Sequence, residues 1–428
     1  MFKKIISEID HFKSQTHNFR ILIFTNLVYA LVLPVIDIFV AAYIMRNSND
    51  TSKVVIYQLA IYTGIPLTFL LNGFLLKHFN IRKLYSIGMM LSGVSMIIMM
   101  SLKTLDLTGI AVAGITMGFS FGLYWSNRDY LALAITNDEN RNYYYGLETF
   151  IYTIIAIAIP ATIGWFIQSK TGEDQKHQAY VVITGIVFLI TIVASIVCYR
   201  GKFENPTQKK YIFFKFHPLW YKLLSLATFK GLAQGFLVTA PAMLIFKILG
   251  EEGALGQAQS IGAILAAIII YFIGRFSKPS DRIKTFSVGL ILFALGACIN
   301  GILFDKTGVI IFLLLLLIAK PLMDLAYFPI QLKVIDIVSR IEKRGEFTYI
   351  LNHEAGLYVG RLLGAGTFLV LYYAVSEDFA LRYAIGIIAL LQLCSIFISK
   401  KIIKQGIELS PEEDIKPKVL DEVAAKLL

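Results

Sequence analysis

Several ionisable side chains recur at helical spacing inside stretches that are otherwise apolar. Lys320 and Asp324 are four residues apart, so on a helix they share a face and can pair, and Tyr327 and Gln331 continue that face. Lys230 and Gln234 have the same spacing, and Glu354 and Arg361 lie seven apart, again on one face. A charge in such a stretch is costly and faces a cavity or a partner. A guanidinium or ammonium there suits a carboxylate or phosphate, the arginine fork binding it through two hydrogen bonds. Lys230, Gln234, Lys320, Asp324, Tyr327 and Arg361 are therefore expected to bind an anionic or zwitterionic organic solute. Tyr124 and Trp125 are the deepest aromatics and are placed with them, since tyrosine offers both an apolar face and a hydroxyl. The competing reading is that Lys320 and Asp324 only neutralise each other, with Arg361 satisfied by Glu354.

A second group reads differently. Asn127, Arg128 and Asp129 lie near one end of an apolar stretch, and Glu148 lies near the same end of the next. Lys77, Arg82 and Lys83 sit in a nearby loop and are candidates for contact with them. The expected role is a gate held by ion pairs. Glu148 or Asp37 is alternatively a proton carrier, because a carboxyl withdrawn from water can load and release a proton. Catalysis finds no support. Of six histidines only His353 falls in an apolar stretch, and there is no HExxH, cysteine pair or phosphate-binding loop. No metal or other cofactor is expected. Cys198, Cys298 and Cys394 have no ligand spacing and read as packing residues.

The elements that must position these residues are membrane spans. The 428 residues are 57% hydrophobic and 16% charged, with mean hydropathy +0.67, whereas soluble chains carry about 25% charge. Twelve stretches reach the roughly 20 residues that cross a bilayer as a helix. The first is Arg20–Ile44, the seventh Pro218–Leu249, the eighth Gly256–Phe276 and the tenth Gly308–Val338. By helical rise Lys320 then lies about 18 Å deep and Asp324 about 24 Å. Pro321 is expected to interrupt that span, as in the discontinuous helices of transporters.

The net charge of +11 is a topology signal and excludes a nucleic-acid surface. Roughly 26 of the 40 basic residues fall in alternate loops and roughly 8 in the others, which places both termini in the cytoplasm. No cleavable leader is expected. The chain divides into an amphipathic segment 1–19, a six-helix bundle 20–199, a linker 200–217, a second bundle 218–403 and a tail 404–428. A shift of roughly 200 residues lays one bundle over the other: the loop after the second span begins at Gly73 and the loop after the eighth at Gly274.

Gly73, Arg82 and Lys83 carry a family resemblance. They match the glycine and the trailing basic pair of a loop motif, G-x-x-x-D-[RK]-x-G-[RK]-[RK], between the second and third spans of the major facilitator superfamily. Lys77 stands at the motif's aspartate, followed by His78, with Asn80 at its second glycine and Ile81 at a basic position. Gly274, Arg282 and Lys284 repeat the pattern in the second half. Pro160 and Gly164 resemble part of the G-P-x-x-G-G element of the family's drug–proton antiporters. The resemblance implies an all-α fold of twelve transmembrane helices in two pseudo-symmetric bundles. It also implies a cavity lined by spans one, four, seven and ten, and a secondary active transporter. The expected protein is a monomer in the bacterial cytoplasmic membrane, coupled to protons or alternatively to sodium. Its cargo is expected to be a small organic anion or zwitterion. The alternatives are proton-driven export of drug-like amphipathic compounds and a non-transporting sensor on the same fold.

Overall fold

The computed structural model describes residues 10–102, 104–136, 140–206, 213–249, 252–276 and 281–409. Residues 1–9 of the expected segment 1–19, most of the tail 404–428, part of the linker, and part of the loop after Gly274 lie outside them. Every regular element among the described residues is a helix. Helix α1 comprises His17–Ala30, a π-helical segment Val35–Phe39 and Val40–Ser48. It is followed by α2 (Thr51–Leu75), α3 (Ile81–Ser101), α4 (Leu107–Ile135), α5 (Arg141–Gln168) and α6 (Glu173–Cys198). Helix α7 comprises Pro218–Leu237 and Ala240–Leu249. Then come α8 (Glu252–Phe276), α9 (Arg282–Leu303), α10 (Lys306–Glu342), α11 (Glu346–Ala374) and α12, made of Glu377–Gln392 and Ser395–Glu408. Among the described residues eleven helices are long and apolar enough to cross a membrane. The exception is α8, whose apolar stretch is the shorter Leu255–Ile269, where the sequence suggested a full span.

Helix starts follow local chemistry. The side chains of Asp50, Asp106 and Asp305 accept hydrogen bonds from the amides of Ser52, Gly109 and Gly308 at 2.9, 3.3 and 2.7 Å, satisfying donors that the helix itself leaves open. Asn80 does the same for α3 at 2.9 Å, and His217 for α7 at 3.2 Å, with Pro218 following where a missing N–H costs nothing.

Two compact units emerge. One contains the described residues of Met1–Thr207 and Glu251–Ser260, the other those of Gln208–Gly250 and Ile261–Leu428. In the first unit, Gly114, Gly118 and Gly122 of α4 face Gly64 and the carbonyls of Tyr57, Ile61 and Ile65 on α2. A Cβ at Gly114 would lie 2.6 Å from Ala60 Cβ, and one at Gly64 2.8 Å from Gly118 Cα. In the second unit the equivalent seam joins α7 and α11. Gly231 and Gly235 meet the backbone of Leu357 and Arg361, while Gly360 and Gly364 meet that of Thr228 and Leu232. Small residues four apart let helix backbones touch in a medium that offers no hydrophobic drive between them.

Two expectations need correction. Helix α10 runs unbroken through Pro321 and Pro329. Helix α9 braces it there: a Cβ on Gly289 would lie 3.0 Å from Ala319 O and 2.9 Å from Met323 Cγ. The broken helices are α1, with Pro34 and a π-segment, α7, which parts between Leu237 and Ala240 just before Pro241, and α12, which parts at Leu393 and Cys394 without a proline. Of the cysteines only Cys198 is buried; Cys298 and Cys394 are exposed.

Candidate functional site

The second unit brings most of the expected solute residues onto three helices. Lys230 on α7 pairs with Asp324 on α10 at 2.9 Å. Asp324 therefore does not pair with Lys320, its neighbour one turn away. The ammonium of Lys230 also lies 4.0 Å from the ring centre of Tyr327 and 3.9 Å from that of Phe328, inside cation–π range. Lys320 is exposed, and it has no hydrogen bond or ion pair to the described residues. Arg361 on α11 pairs with Glu354 two turns earlier, and its Nε donates to Gln234 Oε1 on α7 at 3.1 Å. The α7–α11 seam sets this register, since Gly231, Gly235 and Gly360 adjoin Lys230, Gln234 and Arg361 in sequence. Tyr327, expected to face solute, is 1% exposed. Its hydroxyl shares a 2.6 Å hydrogen bond with Nε2 of buried His353.

In the first unit the charges close on one another. Arg128 on α4 pairs with Glu148 on α5 and with Asp129 at 2.7 Å. Asn26 on α1 donates to Glu148 Oε1 at 2.8 Å and to the Tyr144 hydroxyl at 2.9 Å, and accepts from the Tyr85 hydroxyl on α3. Three helices thus meet at the carboxylate of Glu148, a residue 4% exposed, and α3 joins them through Asn26. Tyr124 does not line a surface. It is wholly buried, its ring 4.3 Å from that of Tyr29 and 5.4 Å from that of Tyr85, and its hydroxyl is 3.0 Å from that of Tyr152. Trp125 is half-buried, with Arg128 5.7 Å from its ring. Asn127 turns away from the charges and exchanges hydrogen bonds with Asn72 of α2 at 3.0 and 3.2 Å. Asp37 is exposed and lies in the π-helical segment of α1, a deviation frequent at functional positions.

The loop basics do not reach that cluster. Arg82 donates to the carbonyls of Tyr199 and Gly201 at 2.9 and 3.2 Å and lies over the Tyr199 ring. Lys77 is exposed, without an ion pair to the described residues, and Gly73 sits in the last turn of α2. The linker is fastened at its start. Asn205 donates to the carbonyls of Leu76 and Phe79 at 2.7 and 2.8 Å and accepts from the Ile81 amide at 2.7 Å. At its other end Glu342 accepts from the amide of His217 and pairs with Arg344 at 2.9 Å. In both units one ion pair ties corresponding helix ends: Arg46–Glu173 at 2.8 Å in the first, Lys247–Glu377 at 2.9 Å in the second.

Sequence reasoning missed His353, the glycine seams and Asn26. The seams had a signal, since Gly114, Gly118 and Gly122, and Gly356, Gly360 and Gly364, recur every fourth residue. The place of His353 in an apolar stretch was visible, but its partner and those of Asn26 were not, because they come from other helices.

Comparison with known proteins agrees with the fold. The chain is 23% identical over 432 residues to YqgE of Bacillus subtilis (strain 168), an uncharacterised protein, covering 99% of this chain and 98% of that one. It is 25% identical over 172 residues to an uncharacterised protein from the sodM 3' region of Geobacillus stearothermophilus, covering 40% of this chain and 76% of that one. The profile of the Major Facilitator Superfamily matches residues 22–365. With its apolar helices and charged residues set within them, the chain belongs to the Major Facilitator Superfamily and is a multi-pass membrane protein of a family that carries small solutes across membranes.

Proposed function

We propose that this protein is a secondary active transporter of a small organic anion, bearing a carboxylate or phosphate, and that it works by alternating access with proton coupling. The observation that carries the anion reading is a charge imbalance in the second unit. Three cations, Lys230, Lys320 and Arg361, stand against two acids. Asp324 and Glu354 take up Lys230 and Arg361, and Lys320 is left over. An ammonium exposed well inside a long apolar helix is tolerated where it meets water or an anion. Arg361 and Lys230, each already facing a carboxylate, are arranged to receive a second one in exchange. In the Arg128 cluster of the first unit both acids, Glu148 and Asp129, are held by that one cation, which leaves no surplus acid in the cluster for a cationic drug.

Glu148 is the proposed coupling carboxyl, with Asp37 as the second candidate, and Arg128 is the charge that Glu148 is held against or released from. Sodium in place of the proton is the competing coupling ion. Both bacterial relatives support placing the protein in the bacterial cytoplasmic membrane, where we propose that it acts as a monomer. The direct test is Lys320→Ala in proteoliposomes, against a panel of organic acids, amino acids and sugar phosphates. The expected result is loss of transport with an unchanged unfolding temperature. Transport at the wild-type rate would falsify the assignment.

A further inference from the structure

We infer that His353 is a positioning residue for Lys230, and so sets how firmly the second unit holds the anionic group of its solute; the inference rests on the anion reading above. The physical chain is short. His353 on α11 and Tyr327 on α10 are 6% and 1% exposed and share a 2.6 Å hydrogen bond. The tied hydroxyl restrains the tilt of the Tyr327 ring. That ring is one of the two surfaces against which the Lys230 ammonium lies, the other being Phe328. Pinned between two rings, the ammonium has its remaining side directed to Asp324, 2.9 Å away. An ammonium is a compact charge on a flexible four-carbon stem, so without such a cradle it would wander among nearby acceptors.

His353 is itself set by its helix. Glu354, the next residue, pairs with Arg361, and Gly356 and Gly360 seat α11 against α7, the helix that carries Lys230. One imidazole therefore links the α10 platform to the α7 cation. Its side-chain hydrogen bond among the described residues is to Tyr327 and not to Asp324, the cation's charge partner. Binding of the solute would replace Asp324 at Lys230 by the solute's carboxylate or phosphate. The ring platform fixes where that replacement takes place.

The test is a double-mutant cycle of His353→Leu and Tyr327→Phe, with His353→Gln as the conservative control. Tyr327→Phe keeps the ring and removes only the hydroxyl. Two quantities are read: the unfolding temperature of purified protein, which needs no solute, and the KM for a labelled organic acid in proteoliposomes. Each single variant is expected to raise KM by about five- to tenfold with kcat little changed, as loss of an oriented cation–π contact would. The double variant should be no worse than either single one, and His353→Gln should stay near wild type. Additive effects on KM, or a KM unchanged in His353→Leu, overturn the inference. A wild-type protein that carries none of the acids overturns the anion reading and with it the solute named here. The unfolding cycle tells that failure apart from an absent His353–Tyr327 link, for which the two substitutions would add in full.

Discussion

The two units carry comparable sets of buried charges and arrange them in opposite ways. In the first, one cation serves two acids: Arg128 is held by Glu148 and Asp129, Asn26 donates to the Glu148 carboxylate, and Tyr144 and Tyr85 hold Asn26. In the second, three cations share two acids, each acid is matched to a cation, and Lys320 remains exposed. A closed network of hydrogen-bonded charges holds a shape. An open one with a surplus charge can exchange a partner. We therefore read the first cluster as the part that locks or couples, and the second as the part that binds.

The contrast can be broken most directly by removing its two central cations. Arg128→Met strands a buried carboxylate, and should lower stability by about 3–5 kcal/mol, seen as a large drop in unfolding temperature. Lys230→Met should cost only about 1–2 kcal/mol, because Asp324 is more than one-third exposed and Lys320 is available one turn away to replace the lost partner. Equal losses for the two variants would abolish the distinction between a closed and an open cluster.

A second comparison sharpens the coupling assignment. Glu148→Gln can keep the hydrogen bond from Asn26 while losing the titrating proton, and is expected to flatten the pH dependence of transport, measured as uptake rate across a series of buffers. Asp324→Asn should leave that dependence in place and strengthen anion binding several-fold by freeing Lys230. An unchanged pH profile in Glu148→Gln, with a flattened one in Asp324→Asn, would move coupling to the second unit. The smallest effect belongs to the surface pairs. Arg46→Ala and Lys247→Ala should each cost at most about 1 kcal/mol, since an ion pair with one member open to solvent, here Glu173 or Lys247, contributes little. A larger loss in one would show that these corresponding pairs are not equivalent.

Much of this arrangement was legible in the residues. Periodicity and charge placement identify the spans, the intramembrane charges and the two halves, and the spacing of Glu354 and Arg361 anticipates their pair. The partner of Asp324 was not legible. Lys320 at four residues is the local candidate, but Lys230, 94 residues away in sequence, holds the carboxylate. A one-dimensional pattern reports which residues share a helix face and says nothing of what the next helix brings to it. Pro321 misled for a related reason: a proline removes one hydrogen bond, and whether the helix parts there depends on its neighbours. Helix α9 packs against α10 at that point, whereas α1 and α7 part near Pro34 and Pro241. Tyr124 and Tyr327 are chemically suited to a solute site, yet both are walled in by side chains from other helices.

The glycine seam between α7 and α11 has a mechanical consequence. Where two backbones touch, no side-chain layer lies between them to shear, and sliding would drive carbonyls into the opposite chain. The two helices then behave as a single laminated beam, stiff along its length. Lys230, Gln234, His353, Glu354 and Arg361 are all mounted on that beam, so their mutual spacing is insulated from bending elsewhere in the unit. Asp324 and Lys320, on α10, are not. A displacement of α10 would change the match between cations and acids without altering the cations' own geometry, in the way that a key moves against fixed pins.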